Sequence, residues 1–428
     1  MIVLFIILFL AAIIIGLPIA FTLSGLGTAV MVWQGIFHPF TIAQNMFSGN
    51  DSTPLIAVMF FMLAGVLMDR AKLTQRLMDF AQSVVGYLHG GLAMVAILVA
   101  LLFSSMTGSA VATAAAVGGM LLPAMKRKGY DGGFSAALIA SGGVIGAILP
   151  PSIPMVIYAV IANASVERMF LGGIVPGIVF ALALMAYSYY YSKKNGYQKE
   201  TGKFNWGNFT ASFKRCILAL LMPFIILGGI FSGIFTATEA ACVATVYTFI
   251  LGKFVYKTIA WKEIPGICLA AAKNTAVVMF IISSCAVLAW VLTSQQIPQQ
   301  MARSLLTLSS NPTVVMLLVN GFVLILALAM DAVAVVVLLS PIMLTVLREL
   351  QIDPVFFGIL LVINVCIGAL TPPVGTCIFV ASRVGGVSIV KAFKAVPPMV
   401  LMAIVLLALC IIFPDIIMFL PNLLAPVK

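Results

Sequence analysis

Charged residues are scarce in this chain of 428 residues, of which 8% are charged and 63% are hydrophobic. A soluble domain needs more polar surface than this, so the composition excludes one of ordinary size. The longest polar connection, at residues 193–215, is too short to form a domain. The sequence therefore predicts an all-α polytopic membrane protein, whose chemistry takes place within or beside the lipid bilayer.

The groups that intramembrane enzymes and ATPases need are also missing. The chain has only 2 histidines, both at loop edges, and no Gly-x-Gly-Asp motif, which argues against intramembrane serine and aspartyl proteases. It contains no Walker A glycine loop, so we expect no use of ATP by this chain. The 7 cysteines lie in apolar runs without a C-x-x-C pair and fit small core residues. We therefore expect no enzyme.

The net charge of +11 lies in short loops between apolar runs, which argues against nucleic acid as a partner. Met1 to Ala20 lacks a basic n-region and is interpreted as a retained first span. If each span crosses once, the 23 lysines and arginines fall on one side, except for Arg168, Arg303, Arg348 and Lys428. The positive-inside rule makes that side cytoplasmic, and the N-terminus with it.

Two Pro-Pro motifs interrupt apolar helical stretches at matching places, GAILPP at residues 146–151 and GALTPP at 368–373, 222 residues apart. At the same offset, Ser109 matches Asp331. A backbone group without a partner is costly in lipid, so such a break needs protein or a solvated cavity around it. Duplicated halves with discontinuous helices are typical of secondary transporters, which bind substrate and ions at the breaks.

Residues 91–125 and 313–347 are apolar runs with a small or polar interruption in the middle, and we interpret both as re-entrant hairpins. The first hairpin precedes a broken span at 134–163, and the second precedes a broken span at 355–381. The predicted topology brings the first hairpin in from the cytoplasm and the second from outside, so the two repeats are inverted.

This interpretation divides the chain into five parts. Residues 91–163 and 313–381 are the two halves of a transport domain. Residues 1–90 hold scaffold helices and a first interfacial arm (Thr74 to His89). Residues 164–312 hold scaffold helices, the linker between repeats and a second arm (Gln295 to Leu308). Residues 382–428 form a C-terminal helix. Within the scaffold, Glu239 three residues after Thr236 predicts a capping box.

The first hairpin tip and the first break offer oxygens that suit Na⁺. A hard monovalent cation prefers several neutral oxygens, and a broken helix exposes carbonyls at one stub and N–H groups at the other. An alternative is that the small residues only permit close helix packing. The candidate ligands of this first ion are Ser104, Gly108, Ser109, Gly146 and Pro150.

The second break offers a similar set for Na⁺, and Asn364 lies about two turns before it. The tip of the second hairpin carries Asp331, and an ionisable residue at membrane depth is a functional candidate. Asp331 either binds a cation or a proton, or caps the returning helix at its N-terminus. The candidate ligands of the second ion are Gly368, Thr371, Gly375 and Thr376.

Candidate substrate contacts are the polar side chains near the tips and breaks, together with a cation that follows the second break. Arg383 could meet an anionic substrate or anchor the cytoplasmic end of its span. The candidates are Ser105, Thr107, Ser152, Asp331 and Arg383.

Three motifs in order, GIFSGIFTATEAA at 229–241, PPSIP at 150–154 and TPPVGT at 371–376, resemble the large membrane subunit of tripartite ATP-independent periplasmic (TRAP) transporters over essentially the whole chain. The resemblance implies an elevator-type ion transporter fold in the inner membrane of a Gram-negative bacterium. It also implies two partners, a small four-helix membrane subunit and a soluble periplasmic substrate-binding protein. The implied substrate is a carboxylate driven by Na⁺.

The expected function is thus Na⁺-coupled import of a carboxylate by an elevator movement with two or more Na⁺. The sequence is most similar to the sialic acid branch, which makes sialic acid the first candidate. Met106-Thr107 stands where many dicarboxylate members have Gly-Ser, so the substrate remains open. The alternative is a stand-alone Na⁺/dicarboxylate symporter of the same fold that needs no binding protein.

Overall fold

The computed structural model describes residues 11–12, 15–197, 204–300, 303 and 311–426. The start of the predicted first span and most of the predicted second arm lie outside the described residues. The prediction of an all-α protein is confirmed. The helices are α1 (Ile19–Trp33), α2 (Pro39–Ser48), α3 (Ile56–Arg70), α4 (Leu73–Val85), α5 (Gly91–Thr107), α6 (Ala110–Arg127), α7 (Gly132–Ile148), α8 (Ile153–Ala162), α9 (Val166–Lys194), α10 (Trp206–Phe231), α11 (Ala237–Ile250), α12 (Ile264–Ser294), α13 (Pro312–Ala329), α14 (Ala332–Glu349), α15 (Pro354–Leu370), α16 (Thr376–Gly385), α17 (Ile389–Ala395), α18 (Pro397–Ile412) and α19 (Asp415–Leu424).

Eight helical stretches within the described ranges are long and apolar enough to cross a membrane, which confirms a polytopic membrane protein. The pair α17 and α18, bent by 49°, would add a ninth. Polar side chains cap the starts of several helices, as the capping box at α11 illustrates. The Thr236 N–H donates to Glu239 Oε2 at 2.8 Å, and the Glu239 N–H donates to Thr236 Oγ1 at 3.3 Å, as predicted.

The helices pack as two groups. In the first, α3 packs on α11, α4 packs on α10, and α12 packs on α1, α2 and α3. We call this group, α1–α4 with α10–α12, the scaffold bundle. In the second, α7 and α15 lie at the centre and are buried along almost their whole length. Helices α5, α6, α13 and α14 pack around them, and we call this group, with α8 and α16, the central body.

The same helix pairings occur in both halves of the central body. Helix α5 packs on α7 as α13 packs on α15, and α6 packs on α16 as α14 packs on α8. Each returning hairpin helix thus contacts the second segment of the other half's broken helix. At the centre the Cys366 thiol lies 3.6 Å from the Val144 carbonyl oxygen, which joins two residues 222 positions apart.

Helix α9, which the sequence interpretation assigned to the scaffold, packs instead on α5, α7, α8, α15 and α18. The Arg168 guanidinium at its start lies 3.2 Å from the Asp353 carboxylate at the start of α15, and it also donates to Asn422 Oδ1 at 3.0 Å. Helix α9 also packs on α19. Because its contacts with α5, α7, α8 and α15 join it to the central body, we count α9 with that group.

Contacts between the two groups run mainly along α5 and α14. Helix α5 packs on α3 and α4, and α14 packs on α12. At the first tip, a Cβ atom built on Gly65 of α3 would lie 3.7 Å from Thr107 Cγ2. The scaffold bundle therefore touches the hairpin tip through a residue that has no side chain.

Candidate functional site

The first hairpin reverses at Gly108, which has φ = 64° in the left-handed region that glycine tolerates best. Ser109 follows in extended conformation and caps α6, since its Oγ accepts the Ala112 N–H at 3.3 Å. The Gly108 carbonyl accepts the Ile153 N–H at 3.1 Å. This bond joins the hairpin tip directly to the start of α8, beyond the first break.

Two glycines let the first tip and the first break approach each other. A Cβ atom on Gly108 would lie 2.7 Å from the Pro151 carbonyl oxygen. A Cβ atom on Gly146 would lie 3.0 Å from Thr113 Oγ1 and 3.2 Å from the Ser109 carbonyl oxygen. The structure thus brings Gly108, Ser109 and Gly146 together, and a larger residue would separate them.

Three hydroxyl groups of the first tip, those of Ser104, Ser105 and Thr107, donate within their own helix. Ser104 and Ser105 donate to the carbonyls of Leu101 and Leu102, each at 2.8 Å, and Thr107 lies 3.3 Å from the Phe103 carbonyl oxygen. A hydroxyl that has used its proton in this way keeps an oxygen lone pair for another partner. This arrangement suits a cation better than an anion, because a cation needs acceptors.

The first break exposes carbonyls for a reason that lies in the sequence. Pro150 and Pro151 have no N–H, so the carbonyls of Gly146 and Ala147 lose their α-helical partners. The Ser152 hydroxyl replaces one of them, donating to the Ala147 carbonyl at 2.5 Å while it accepts the Met155 N–H at 3.4 Å. Ser152 is fully buried. The Gly146 carbonyl is left as an oxygen for a ligand.

The second tip is built differently. Helix α13 ends at Ala329, Met330 is extended, and Asp331 caps α14 by accepting the Val333 N–H at 3.0 Å. The capping alternative for Asp331 is therefore confirmed. Its carboxylate is half-buried and has a second oxygen, so capping leaves room for a further ligand.

The second break approaches α13 more closely than any side chain would allow. A Cβ atom on Gly368 would lie 2.1 Å from the Ala327 carbonyl oxygen. The Thr371 hydroxyl donates to the Ile367 carbonyl at 2.6 Å.

Beyond the second break, Gly375 has φ = 43° and lies against the Phe393 ring, and Thr376 begins α16. Pro372 and Pro373 remove the α-helical partners of the Gly368 and Ala369 carbonyls, and the Gly368 carbonyl accepts the Thr371 N–H at 3.1 Å instead. The Pro150–Pro151 and Pro372–Pro373 peptide bonds are both cis.

Arg383 is not placed with the other candidates. It lies exposed in the last turn of α16, seven residues and thus about 10 Å along the helix axis from Thr376. It occupies the end of α16 opposite the break.

Sequence reasoning missed three features of this region. The Ala327 carbonyl could not be identified, because nothing in the sequence shows that Gly368 lies against it. Thr113 was overlooked, although its hydroxyl lies 3.1 Å from that of Thr107. Asn320 is buried in α13 and hydrogen-bonded to Asn364. A lone asparagine in each of two apolar runs was the signal that would have found this pair.

A profile of the family described as tripartite ATP-independent periplasmic transporter, DctM component, matches residues 6–416. The sialic acid TRAP transporter large permease protein SiaM of Vibrio cholerae is 38% identical over 95% of this chain and 95% of its own length.

The isethionate TRAP transporter permease protein DctMQ of Oleidesulfovibrio alaskensis is 39% identical over 95% of this chain and 64% of its own length. This chain therefore spans less than two thirds of that relative. The solved structure of Neisseria gonorrhoeae MtrF, described with a class of antimetabolite efflux pumps, has a TM-score of 0.59 and 13% identity over 87% of this chain and 83% of MtrF. At that identity the likeness concerns the fold alone.

Proposed function

The chain belongs to the DctM component family of tripartite ATP-independent periplasmic transporters, and from this premise we propose that it imports an organic anion coupled to Na⁺. The observation that carries the proposal is the pair of helix breaks, each held against a hairpin and each with carbonyl oxygens that have lost their α-helical partners. The function is transport, and the relatives compared here are named transporter permeases.

Two sodium sites are proposed, one in each half. The first takes oxygens from the Ser104–Ser109 tip and from the carbonyl of Gly146. The second takes oxygens from the end of α13, from Gly368 and from the segment of Thr371, Gly375 and Thr376. Both sets consist of neutral oxygens, as suits a monovalent ion. An excess of cations over substrate charge also favours import, because each charge gains about 2.3 kcal/mol per 100 mV of membrane potential.

The substrate anion is proposed to lie between the two hairpin tips. Helices α6, α8, α14 and α16 all begin at a tip or a break, and helix N-termini attract anions. Ser105, Thr107, Ser152 and Asp331 are the nearby polar side chains, whereas Arg383 is not among them. The relatives SiaM and DctMQ are named for a carboxylate and a sulfonate, so the proposed class is a small organic acid, with sialic acid tested first.

The proposed movement is an elevator, in which the central body with α9 slides along the scaffold bundle. Two inverted halves supply two equivalent states, because exchanging their conformations exchanges inward for outward access. The boundary along α5 and α14 is the sliding surface in this proposal.

The proposed location is the inner membrane, with the basic end of the molecule in the cytoplasm. Lys126, Arg127 and Lys128 lie at the end of α6, and Lys391 and Lys394 lie on α17, which packs on the start of α7. The positive-inside rule then places the N-terminus in the cytoplasm.

The proposed partners are a small four-helix membrane subunit and a soluble periplasmic binding protein. Uptake of labelled sialic acid into proteoliposomes tests this, with the small subunit, the binding protein and a Na⁺ gradient each omitted in turn. The proposal requires loss of uptake in every omission. Uptake without the binding protein would instead support a stand-alone symporter, and uptake without a Na⁺ gradient would contradict sodium coupling. Isethionate and C4-dicarboxylates are tested in the same format if sialic acid is not taken up.

A further inference from the structure

A pair of buried amides joins the second hairpin to the second broken helix. Asn320 on α13 is 1% exposed and Asn364 on α15 is 0% exposed. Asn364 Nδ2 donates to Asn320 Oδ1 at 2.6 Å and to the Leu360 carbonyl at 3.1 Å. Asn320 Nδ2 donates to the Met316 carbonyl at 2.8 Å. The Asn364 Oδ1 atom accepts no hydrogen bond from the described part of the chain.

Packing alone does not require these amides. The corresponding helix pair of the first half, α5 and α7, has Leu98 and Gly142 at the positions 222 residues earlier. There a Cβ atom on Gly142 would meet only the Ala100 Cβ, at 3.0 Å. Since an unpartnered buried amide oxygen is unfavourable, an apolar pair would make the same helix contact at lower cost. The amides must therefore serve something that is specific to the second half.

Neither amide reaches the proposed second sodium site. Asn320 lies seven residues before Ala327, which is about 10 Å along the axis, and Asn364 lies four residues before Gly368, about 6 Å. The pair does fix how far α13 is shifted along α15. That shift determines where the Ala327 carbonyl oxygen lies relative to Gly368.

The first half achieves this registration in another way. There the Ile153 N–H donates to the Gly108 carbonyl and joins the tip to the broken helix. Among the backbone hydrogen bonds of the described residues, none joins the second tip to the second break. The amide pair is thus a polar connection between the second hairpin and its broken helix within the described ranges.

We propose that Asn320 and Asn364 are the positioning residues of the second cation site, and that they set its Na⁺ affinity by fixing α13 on α15. This inference rests on the proposed sodium sites. The amides act through helix register and do not bind the ion.

The test uses Na⁺ alone as the probe, so that no substrate is needed. The complex of this chain with its small subunit is heated in increasing NaCl, with choline chloride keeping the ionic strength constant, and the midpoint of the Na⁺-dependent rise in Tm is measured. The double variant Asn320→Leu/Asn364→Ala removes both amides and leaves an apolar residue at each position. Ser340→Ala is the control, because this buried serine donates to the Val336 carbonyl within α14.

We expect the double variant to keep its Tm in choline chloride and to need at least five times more Na⁺, whereas Ser340→Ala keeps the wild-type midpoint. A midpoint within twofold of wild type in the double variant would overturn the proposal. If the double variant fails to fold, Asn320→Ser replaces it, with a rise of at least twofold expected and no rise overturning the proposal. Absence of Na⁺ stabilisation in the wild type would instead refute the sodium sites themselves.

Discussion

At the residue scale, the tips depend on glycines whose missing side chains leave room for carbonyl oxygens. Gly108 combines a positive φ with the Pro151 carbonyl close by, and Gly368 has the Ala327 carbonyl close by. The neighbouring hydroxyls donate to carbonyls of their own helices, so each hydroxyl oxygen keeps a lone pair for another partner. Both features bring oxygens together without adding charge, which is the chemistry a sodium site requires.

Gly108→Ala should impair both folding and transport. An alanine in the left-handed region costs about 1–2 kcal/mol, and here its Cβ would also collide with Pro151. Gly129→Ala is the matched control, because Gly129 has φ = 76° but nothing within 4 Å of its Cβ position. Thermal unfolding and Na⁺-driven uptake are measured for both. Equal Tm values, with normal uptake in Gly108→Ala, would show that the close approach is unimportant.

Ser152→Ala should weaken Na⁺ coupling. It removes the cap of α8 and the donor to the Ala147 carbonyl, at an expected cost of about 1–3 kcal/mol. Ser165→Ala is the comparison, since Ser165 is an exposed cap at the start of α9 that accepts the Arg168 N–H. The Na⁺ concentration for half-maximal uptake should rise only in Ser152→Ala. A similar rise in both variants would assign the effect to capping in general.

At the element scale, each hairpin packs closely on its broken helix but is joined to it by few hydrogen bonds, and these differ between the halves. A backbone hydrogen bond serves the first half, and the Asn320–Asn364 amides serve the second. The returning helices α6 and α14 contact α16 and α8 of the opposite halves, so each half supports the other. A substitution at one break should therefore disturb the packing of that broken helix on the hairpin helices beside it.

Gly368→Ala should push α15 away from α13. Its Cβ would lie 2.1 Å from the Ala327 carbonyl oxygen, and overpacking of this kind typically costs about 1–3 kcal/mol. Gly321→Ala on α13 has open space around it and should be neutral or stabilising, since alanine favours helix. Tm and the Na⁺ midpoint are compared. Unchanged values in Gly368→Ala would mean that the second break does not need this approach.

At the scale of the whole molecule, the scaffold bundle meets the central body along α5 and α14, and Gly65 lies beside the first tip. An elevator movement needs this boundary to be smooth, because a protruding side chain would resist sliding. In the proposed orientation the basic end of the molecule lies in the cytoplasm, as the positive-inside rule predicts.

Gly65→Leu should slow transport while leaving stability nearly unchanged. The leucine Cβ alone would lie 3.7 Å from Thr107 Cγ2, in van der Waals contact, so the rest of the side chain would obstruct the central body. A tenfold loss of rate would correspond to about 1.4 kcal/mol on the barrier. Gly25→Leu on α1, with nothing within 4 Å, is the control. Uptake rate and Tm are measured together. Wild-type uptake by Gly65→Leu would contradict sliding at this boundary.

Single cysteines should report the orientation. In a Cys268→Ser background, a membrane-impermeant maleimide added to intact spheroplasts should label Glu349→Cys. Lys391→Cys should react only after permeabilisation, because the positive-inside rule places α17 in the cytoplasm. Both positions are exposed in the structure. Labelling of Lys391→Cys from outside would reverse the proposed topology.

The sequence by itself determined the membrane class and the positions of the breaks, for reasons that act locally. Few charges and long apolar runs leave only a membrane protein, and Pro150, Pro151, Pro372 and Pro373 have no N–H to continue a helix. The capping box at Thr236 follows from spacing within one helical turn. None of these inferences required knowing which helix lies beside which.

Only the tertiary structure decided what depends on contacts between distant segments. It placed α9 with the central body, Arg383 about two turns away from the break, and Asp331 as the cap of α14. It also joined Asn320 to Asn364 and pressed Gly368 against Ala327. In a chain so rich in apolar residues most helix faces look alike, so the pairing of helices is selected by the shape of close-packed side chains and by a few buried polar groups.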